Sequence, residues 1–263
     1  MKIVCWNVQG AKKSQLQLEV GFIKRTIKPY ILILLETMVN DQNADSIITN
    51  LGFSHCDMIF CDMIPTENHC GGIWCLWNAI HVDVSILVKE SRVIHYIITD
   101  NVNNKQCLLT TIYALAQERD KNIFWQHLKQ LKDSVNLPWC IMGDFNEMLH
   151  PSEKVRGTPL TIEKTHRLNN FLTSTKSIDA TVQGRILTWK KLLRGQLIYE
   201  KLDRVIFHED CAQLFPDYII TNGPFTCSDH ACVFLDTAPP HQPQRGTNFK
   251  YQHSWHSIKI LIL

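Results

Sequence analysis

The sequence lacks the patterns that identify several large protein classes. Apolar runs such as Tyr30–Leu35 are far too short for a membrane span, so we expect no contact with a membrane. Met1 and Lys2 lead directly into a strand-like segment without an apolar signal region, which predicts an intracellular protein. The G-x-S-x-G, GxxxxGK and H-E-x-x-H motifs are absent, which excludes the common serine-hydrolase, P-loop and zinc-protease patterns.

The ten cysteines do not form a disulfide or zinc pattern. No CxxC motif occurs, and several cysteines lie inside apolar, strand-like stretches. Three C-x4-C spacings are present: Cys56/Cys61, Cys70/Cys75 and Cys227/Cys232. We therefore predict reduced and mostly buried thiols, as expected of an intracellular protein.

Charge is unevenly distributed, although the formal net charge of the 263 residues is only +2. Residues 1–150 carry 13 Lys and Arg against 15 Asp and Glu, a net of −2, and residues 151–263 carry 14 against 10, a net of +4. The basic excess is concentrated in Arg185–Arg204, with six cations against two acids. Charge alone leaves two interpretations open, a patch for a polyanion or a solvated hairpin.

The order of predicted elements indicates an α+β fold. Hydrophobic content of 45% is ordinary for a globular domain. The predicted helices are Leu16–Ile27, Asp41–Leu51, Arg119–Val135 and Thr161–Thr175. The predicted strands are Ile3–Val8, Tyr30–Leu35, Phe53–Phe60, Gly72–Trp77, His81–Val88, Val93–Thr99, Cys107–Ala114, Pro138–Met142, Asp217–Thr221 and Ala231–Leu235. Many strands with few helices suggest two sheets packed face to face with helices outside.

The basic segment has the pattern of a hairpin. Two strands, Ile186–Trp189 and Leu197–Phe207, are predicted to flank a turn around Gly195. Its apolar residues would pack on the sheet: Ile186, Leu187, Trp189, Leu197 and Ile198. Three cations would lie near the tip and reach a phosphate backbone: Lys190, Lys191 and Arg194. After Asp236 the chain becomes rich in proline, so we interpret residues 237–263 as a linker and a short tail.

Polar residues of catalytic type end or follow many of the apolar strands. They are Asn7, Glu36, Tyr113, Asp144, Asn146, Asp203, Asp229 and His230. Each alone has a plain structural reading, because Asn7 could be a turn residue, Glu36 a surface carboxylate and Ser228–His230 a capping turn. If the strands are neighbours, these side chains gather at one edge of the sheets. Such a cluster suits metal-assisted cleavage of a phosphate ester.

The residue types suggest separate roles in that chemistry. The Glu36 carboxylate is a hard ligand for Mg²⁺, and Asp144 could orient or deprotonate a water molecule. Asn146 and His230 could donate hydrogen bonds to phosphoryl oxygens as negative charge builds. Asp203 could fix the tautomer of the imidazole and favour its charged form.

Six motifs occur in an order that resembles the endonuclease/exonuclease/phosphatase superfamily, which has the deoxyribonuclease-I-like fold. They are CWNVQG (Cys5–Gly10), LLET (Leu34–Thr37), TIYA (Thr111–Ala114), MGDFNE (Met142–Glu147), KLDRV (Lys201–Val205) and CSDHACV (Cys227–Val233). The resemblance covers residues 1–236 as one domain. It implies a four-layered α/β sandwich, with two packed, mainly antiparallel sheets flanked by helices.

Further segments resemble the endonuclease domain of LINE-type non-LTR retrotransposons, particularly those of plants. They are CGGIWCLWN (Cys70–Asn78), EKVRG (Glu153–Gly157) and the stretch Leu187–Phe207. Phe249–Ser257 resembles the segment that leads to the reverse transcriptase of such polyproteins. The sequence contains no reverse transcriptase, so the resemblance implies a truncated element or an isolated domain. The resemblance implies a DNA endonuclease that nicks one strand and leaves a 3′-hydroxyl for target-primed reverse transcription.

The resemblance also implies a role for each site residue. Glu36 would bind Mg²⁺, or Mn²⁺ in its place, and Asn7 would support the metal and Asp144. Tyr113 would contact the phosphate or assist the leaving group, and Asp229 would act near the metal. Asp144 and Asn146 would position the water, Asp203 would pair with His230, and His230 would bind the scissile phosphate. Gln9 stands where apurinic endonucleases have an acidic residue, so a second metal ligand is missing.

The same resemblance implies a monomeric nuclear protein that acts on DNA without a small-molecule cofactor. Two other interpretations remain open. The chain could be a phosphodiesterase or phosphatase acting on another phosphate ester, or a catalytically dead remnant of a retroelement that still binds DNA.

Overall fold

The computed structural model describes residues 1–39, 41–60, 71–114 and 121–240. The helices are α1 (Ser14–Thr26), α2 (Asp41–Leu51), α3 (Lys121–Asp133), α4 (Ile162–Ser174) and α5 (Glu209–Leu214). The strands are β1 (Lys2–Asn7), β2 (Ile31–Leu35), β3 (His55–Phe60), β4 (Gly72–Trp77), β5 (Val82–Glu90), β6 (Val93–Asp100), β7 (Lys105–Tyr113), β8 (Trp139–Asp144), β9 (Lys154–Val155), β10 (Ser177–Asp179), β11 (Val182–Gln183), β12 (Trp189–Leu193), β13 (Gln196–Glu200), β14 (Asp203–His208), β15 (Ile219–Asn222) and β16 (Val233–Asp236).

Two large mixed sheets form the body of the domain. The first has seven strands in the order β11-β15-β16-β1-β2-β4-β3, and the second has six in the order β10-β14-β8-β7-β6-β5. A small third sheet has the strand order β12-β13-β9. Strands β1 and β2, β7 and β8, and β11 and β15 pair in parallel, and the other pairings are antiparallel. The predicted sandwich of two mainly antiparallel sheets is therefore confirmed.

Three apolar clusters separate four layers. The central cluster lies between the sheets and includes Ile33 and Cys75 from one sheet and Met142 and Val205 from the other. A second cluster packs α1 and α2 on the outer face of the first sheet, and a third packs α3 and α4 on the outer face of the second. Each residue of Ile31–Leu35 is fully buried, as the unbroken apolar run predicts for a strand covered on both faces.

The cysteines agree with the prediction of reduced thiols. The structure describes eight of the ten, and all eight are free. Six of these are buried, namely Cys5, Cys75, Cys107, Cys140, Cys211 and Cys232. The remaining two cysteines of the sequence, Cys61 and Cys70, lie outside the described residues. Among the helices that the structure describes, none is long and apolar enough to cross a membrane.

The prediction for the basic hairpin was wrong in its boundaries. The predicted strand Ile186–Trp189 is irregular up to Trp189, where β12 begins, and β12 continues through residues that were assigned to the turn. The predicted strand Leu197–Phe207 is two strands, β13 and β14, separated by Lys201 and Leu202. The turn itself lies at Gly195, as predicted, with a left-handed φ of 77°.

The basic patch is smaller than its sequence suggests, because two of its six cations are buried. Arg204 is 1% exposed and Lys201 is 6% exposed. Both pair with Glu153 and Asp179, and these ion pairs link β14 to the loop before β9 and to β10. The predicted start of the third helix at Arg119 and most of the predicted linker and tail (residues 241–263) lie outside the described residues.

Candidate active site

The ends of neighbouring strands bring the predicted site residues together. Asn7 ends β1 beside Leu35, the last residue of β2, so that Glu36 follows at the same edge. In the second sheet, Asp144 pairs with Tyr113 on one side and with Asp203 on the other. Because the two sheets pack face to face, these two edges meet at one place.

Four buried side chains join the two sheets at this point. Asn7 donates from Nδ2 to Asp144 Oδ2 over 3.0 Å, and His230 donates from Nδ1 to Asp203 Oδ2 over 2.8 Å. His230 Nε2 lies 3.9 Å from Asp144 Oδ2. Each of the four is at most 4% exposed. The imidazole therefore lies between two carboxylates, with one nitrogen bound and the other directed toward Asp144.

Backbone geometry explains the glycine before Asp144. Gly143 has a φ of +153°, and a Cβ placed on it would lie 1.9 Å from the carbonyl oxygen of Ile112. Only glycine allows β8 to pass so close to β7. After Asp144, Asn146 adopts a left-handed conformation with φ 47°, and its backbone N–H donates to Asp144 Oδ1 over 2.9 Å. The loop thus holds Oδ1 of Asp144, and Asn7 holds the other oxygen.

Glu36 is paired with Tyr113 across the two sheets. The Tyr113 hydroxyl donates to Glu36 Oε1 in a short hydrogen bond. Burial, and then the negative charge of Glu36, raise the pKa of Tyr113. Glu36 also has a left-handed backbone with φ 51°, which is uncommon for a residue with a long side chain. Strained backbone of this kind is frequent at functional sites.

Asp229 is held by two N–H donors. Its Oδ2 accepts from Gln9 Nε2 and from Trp189 Nε1, each over 3.0 Å. Its Oδ1 lies 3.9 Å from His230 Nε2. The Gln9 amide therefore donates a hydrogen bond to one oxygen of Asp229. An acidic side chain at position 9 would repel the Asp229 carboxylate instead. One carboxylate oxygen of Asp229 remains to face the site.

The protonation states of the central pair are set by burial and by each other. Burial, and then the charge of Asp203, raise the pKa of Asp144 to about 7, although His230 and the hydrogen bonds from Asn146 and Asn7 oppose the shift. Burial lowers the pKa of His230, but the adjacent Asp203 outweighs it and raises that pKa to about 10. The surroundings therefore favour the protonated form of the imidazole and make the Asp144 carboxyl group a stronger base than a solvent-exposed aspartate.

The carboxylates of the site fit a divalent cation. Asp144, Asp203, Asp229 and Glu36 are four acids, and in the part of the chain that the structure describes His230 is the only basic side chain that pairs with any of them. This leaves an excess of negative charge and hard oxygen donors, which Mg²⁺ prefers. Asp144, Asp203 and His230 offer ligand atoms within 4.8 Å of one another. The hydrogen bond to Asp203 occupies Nδ1 of the imidazole, so His230 could offer a metal only Nε2.

Several side chains that support the site were not predicted. Thr188 accepts at Oγ1 from the N–H groups of Leu202 and Asp203, which fixes the start of β14. Lys121 donates from Nζ to the carbonyl oxygen of Asn146 over 2.7 Å. These contacts join residues far apart in the chain, so no local pattern in the sequence indicates them.

The small third sheet carries the predicted DNA-binding cations and begins at the site. Trp189 forms a bridge with His230, and the Lys190 N–H donates to the carbonyl oxygen of Asp229 over 3.0 Å. Lys191 and Arg194 are exposed toward the tip of the hairpin. Lys190 does not lie near the tip, because its ammonium group is 4.8 Å from the centre of the Phe225 ring at the base. Ile186 is 53% exposed, so it does not pack on the sheet as predicted.

Comparison with known proteins identifies the class that this fold and site define. The sequence profile of the Endonuclease/Exonuclease/phosphatase family matches residues 4–230. The chain belongs to that family, whose members include nucleases and phosphatases. A search of curated proteins gave no match.

Solved structures show the same fold at low sequence identity. The endonuclease domain of TRAS1, a telomere-specific non-LTR retrotransposon, has a TM-score of 0.65 and 12% identity over 89% of this chain and 97% of that one. The AP endonuclease LMAP from Leishmania major has a TM-score of 0.66 and 16% identity over 89% and 86%. A 3′ phosphatase from Neisseria bound to product DNA hairpin has a TM-score of 0.66 and 16% identity over 90% and 98%.

Proposed function

We propose that this protein is a Mg²⁺-dependent endonuclease that hydrolyses one strand of duplex DNA. The observation that carries the proposal is the buried arrangement of Asn7, Asp144, His230 and Asp203, in which the Asp144 carboxyl group faces the imidazole of His230. Glu36 would hold the metal, with Mn²⁺ as a substitute for Mg²⁺. The bound cation would stabilise negative charge on the phosphate.

The side chains divide the reaction between them. Asp144, oriented by Asn7 and by the N–H of Asn146, would take a proton from the attacking water. His230, kept cationic by Asp203, would donate from Nε2 to a phosphoryl oxygen as its charge increases. The P–O bond to the leaving 3′-oxygen would break as the water oxygen forms its own bond to phosphorus. Tyr113 would contact the phosphate or assist the leaving group.

Duplex DNA is the substrate favoured by the neighbouring surface. Lys191 and Arg194 are exposed on the hairpin whose base contacts His230 and Asp229. A duplex bound at the scissile phosphate would therefore pass the hairpin cations, whereas a small phosphate ester would not reach them. In a retroelement, such a nick in chromosomal DNA would supply the 3′-hydroxyl that primes reverse transcription, which would place the protein in the nucleus.

A plasmid assay tests this proposal. Supercoiled plasmid is incubated with the protein in Mg²⁺, Mn²⁺ or EDTA, and the nicked products are offered to a DNA polymerase without prior end repair. We expect nicked circles in Mg²⁺, none in EDTA, and extension from the nicks, which requires a 3′-hydroxyl. Hydrolysis of small phosphate esters without plasmid nicking would favour the phosphatase interpretation. Plasmid binding without nicking would favour a catalytically dead DNA-binding protein.

A further inference from the structure

A cavity opens beside the site, next to Asn146. It has a volume of about 200 Å³ and lies among the loop after β8, the β9–β13 pair and the first turn of α4. Asn146 belongs both to this cavity and to the site, because its backbone N–H donates to Asp144 Oδ1. The sequence offers no local signal for the cavity, and the proposed hydrolysis does not use it.

Basic side chains outnumber acidic ones around the cavity. Its lining includes Lys121, Lys154 and Lys164 together with Glu147 and Glu200. Among the described residues that line it, three side chains are basic and two are acidic. Glu147 is shared by Lys121 Nζ at 3.6 Å and Arg167 Nε at 2.7 Å. The start of α4 adds the positive end of a helix dipole. A cavity with this balance suits an anion.

The cations divide into a structural group and an exposed group. Lys121 is 5% exposed and holds the carbonyl oxygen of Asn146, so its role is to position the loop. Lys154 pairs with Glu200 over 2.6 Å. Lys164 is exposed, and within the described ranges no carboxylate lies at ion-pair distance from it. Lys164 is therefore the side chain best able to meet an incoming anion.

The small sheet gives the distance from the cavity to the scissile position. Lys154, Glu200 and Trp189 lie side by side across the three strands, and Trp189 bridges to His230. Three strand spacings of about 4.8 Å place Lys154 at most about 14 Å from the backbone of His230. One DNA strand advances about 3.4 Å per nucleotide, so this distance covers about four nucleotides.

We propose that this cavity binds a backbone phosphate of the cleaved DNA strand, within about four nucleotides of the scissile phosphate. Lys164 is the main phosphate-binding side chain, and Lys154 contributes from the opposite wall. The inference rests on the proposed endonuclease function and extends it. The hairpin cations and the cavity then contact the substrate on two sides of the catalytic cluster.

The first test measures the salt dependence of binding to duplex DNA in EDTA, where no cleavage takes place. Removing one phosphate interaction lowers the magnitude of the slope of log affinity against log salt by about 0.9. We expect that decrease for Lys164→Gln and a near wild-type slope for Lys164→Arg. Arg25→Gln is the matched control, because Arg25 is an exposed cation on α1, outside the other sheet. An unchanged slope for Lys164→Gln would overturn the proposal.

The second test locates the phosphate. Duplexes carry a single neutral methylphosphonate linkage at one position at a time around a mapped nick site. Wild type should lose affinity at several positions, and at one of them, within about four nucleotides of the nick, Lys164→Gln should be insensitive. Equal penalties for both proteins at every position would refute the cavity as a phosphate site. If wild type cuts DNA and Lys164 has no effect, only this inference fails; if wild type neither binds nor cuts DNA, the proposed function fails with it.

Discussion

His230 and Asp203 join the two sheets of the sandwich through one buried hydrogen bond of 2.8 Å. Asp203 begins β14 in the six-stranded sheet, and His230 lies just before β16 in the seven-stranded sheet. The pair orients the imidazole and keeps it charged, so the catalytic proton arrangement depends on how the two sheets pack. Neither residue can take up its role unless the whole domain is folded.

The first prediction concerns this pair. Replacing His230 with Ala should reduce nicking more than Asp203→Asn does, because Asp203 acts only through the imidazole. The double variant should be little worse than His230→Ala alone, since residues that act as a unit are not additive. Single-turnover nicking rates of the wild type, the two single variants and the double variant at saturating Mg²⁺ give the coupling between the two residues. Circular dichroism checks that each variant is folded. Losses that multiply fully would mean that the two side chains act separately.

A second prediction concerns Glu36. The variant Glu36→Gln should require more Mg²⁺ for half-maximal nicking, because a neutral amide is a weaker ligand for a hard cation. Duplex binding in EDTA should stay near that of wild type, since no phosphate-binding side chain is changed. Titration of Mg²⁺ at fixed DNA measures the shift. An unchanged Mg²⁺ requirement would remove Glu36 from the metal site.

A third prediction concerns the basic hairpin. Replacing Lys190, Lys191 and Arg194 with Ala should weaken DNA binding and lower its salt slope by about 0.9 for each phosphate that the hairpin no longer binds. The effect should come mainly from Lys191 and Arg194, because Lys190 packs against Phe225 at the base. Cleavage at saturating DNA should change little. A triple variant with the wild-type salt slope would show that the hairpin is only a solvated charged turn.

A fourth prediction concerns stability and pH through His95, which is 1% exposed. The Thr110 hydroxyl accepts from Trp139 Nε1 and is hydrogen-bonded to His95 Nδ1, and within the described residues Nε2 has no partner. Burial, and then the nearby charge of His127, lower the pKa of His95 to about 4. The unfolded chain therefore takes up a proton at higher pH than the folded one does, and stability is lost as the pH falls from about 6.5 toward 4.

The size of this effect follows from the difference between the two pKa values. Each pH unit in that window costs about 1.4 kcal/mol, so the contribution of His95 to the unfolding free energy should fall by about 2 kcal/mol between about pH 7 and pH 5. His95→Gln keeps a hydrogen-bonding partner for Thr110 but cannot titrate, so its change in unfolding free energy over the same range should be less destabilising than that of wild type by about this amount. Urea unfolding at both pH values measures the difference. Identical losses for the two proteins would contradict this account of His95.

Sequence patterns predicted the sandwich and the strand ends well because burial leaves a clear signal. The run Ile31–Leu35 is apolar throughout because both faces of the strand are buried. The polar residue Glu36 follows where this buried strand ends. The hairpin left no such signal. Strand β12 has three exposed residues out of five, and its length is set by pairing with β13. Its sequence therefore shows little alternation between apolar and polar residues.

The remaining features of the site depend on contacts between distant segments. The resemblance predicts that Asp229 lies near a metal, but it does not indicate which side chains hold Asp229. The two N–H donors to its carboxylate, Gln9 and Trp189, are 220 and 40 residues away in the chain. Thr188 lies just before β12 and fixes the start of β14 by accepting from the Leu202 and Asp203 N–H groups. Such contacts become visible only when the sheets are assembled, and so does the cavity beside Asn146.

The most direct test of the account compares wild type with Asp144→Asn in the plasmid nicking assay with Mg²⁺. The amide keeps the size of the side chain but cannot take a proton from water, and Asn7 and the N–H of Asn146 still surround it. We predict a variant that circular dichroism shows to be folded under the assay conditions and whose nicking rate is lower by at least about 10²-fold. Nicking at the wild-type rate by the folded Asp144→Asn protein would contradict the central claim that this cluster cleaves DNA.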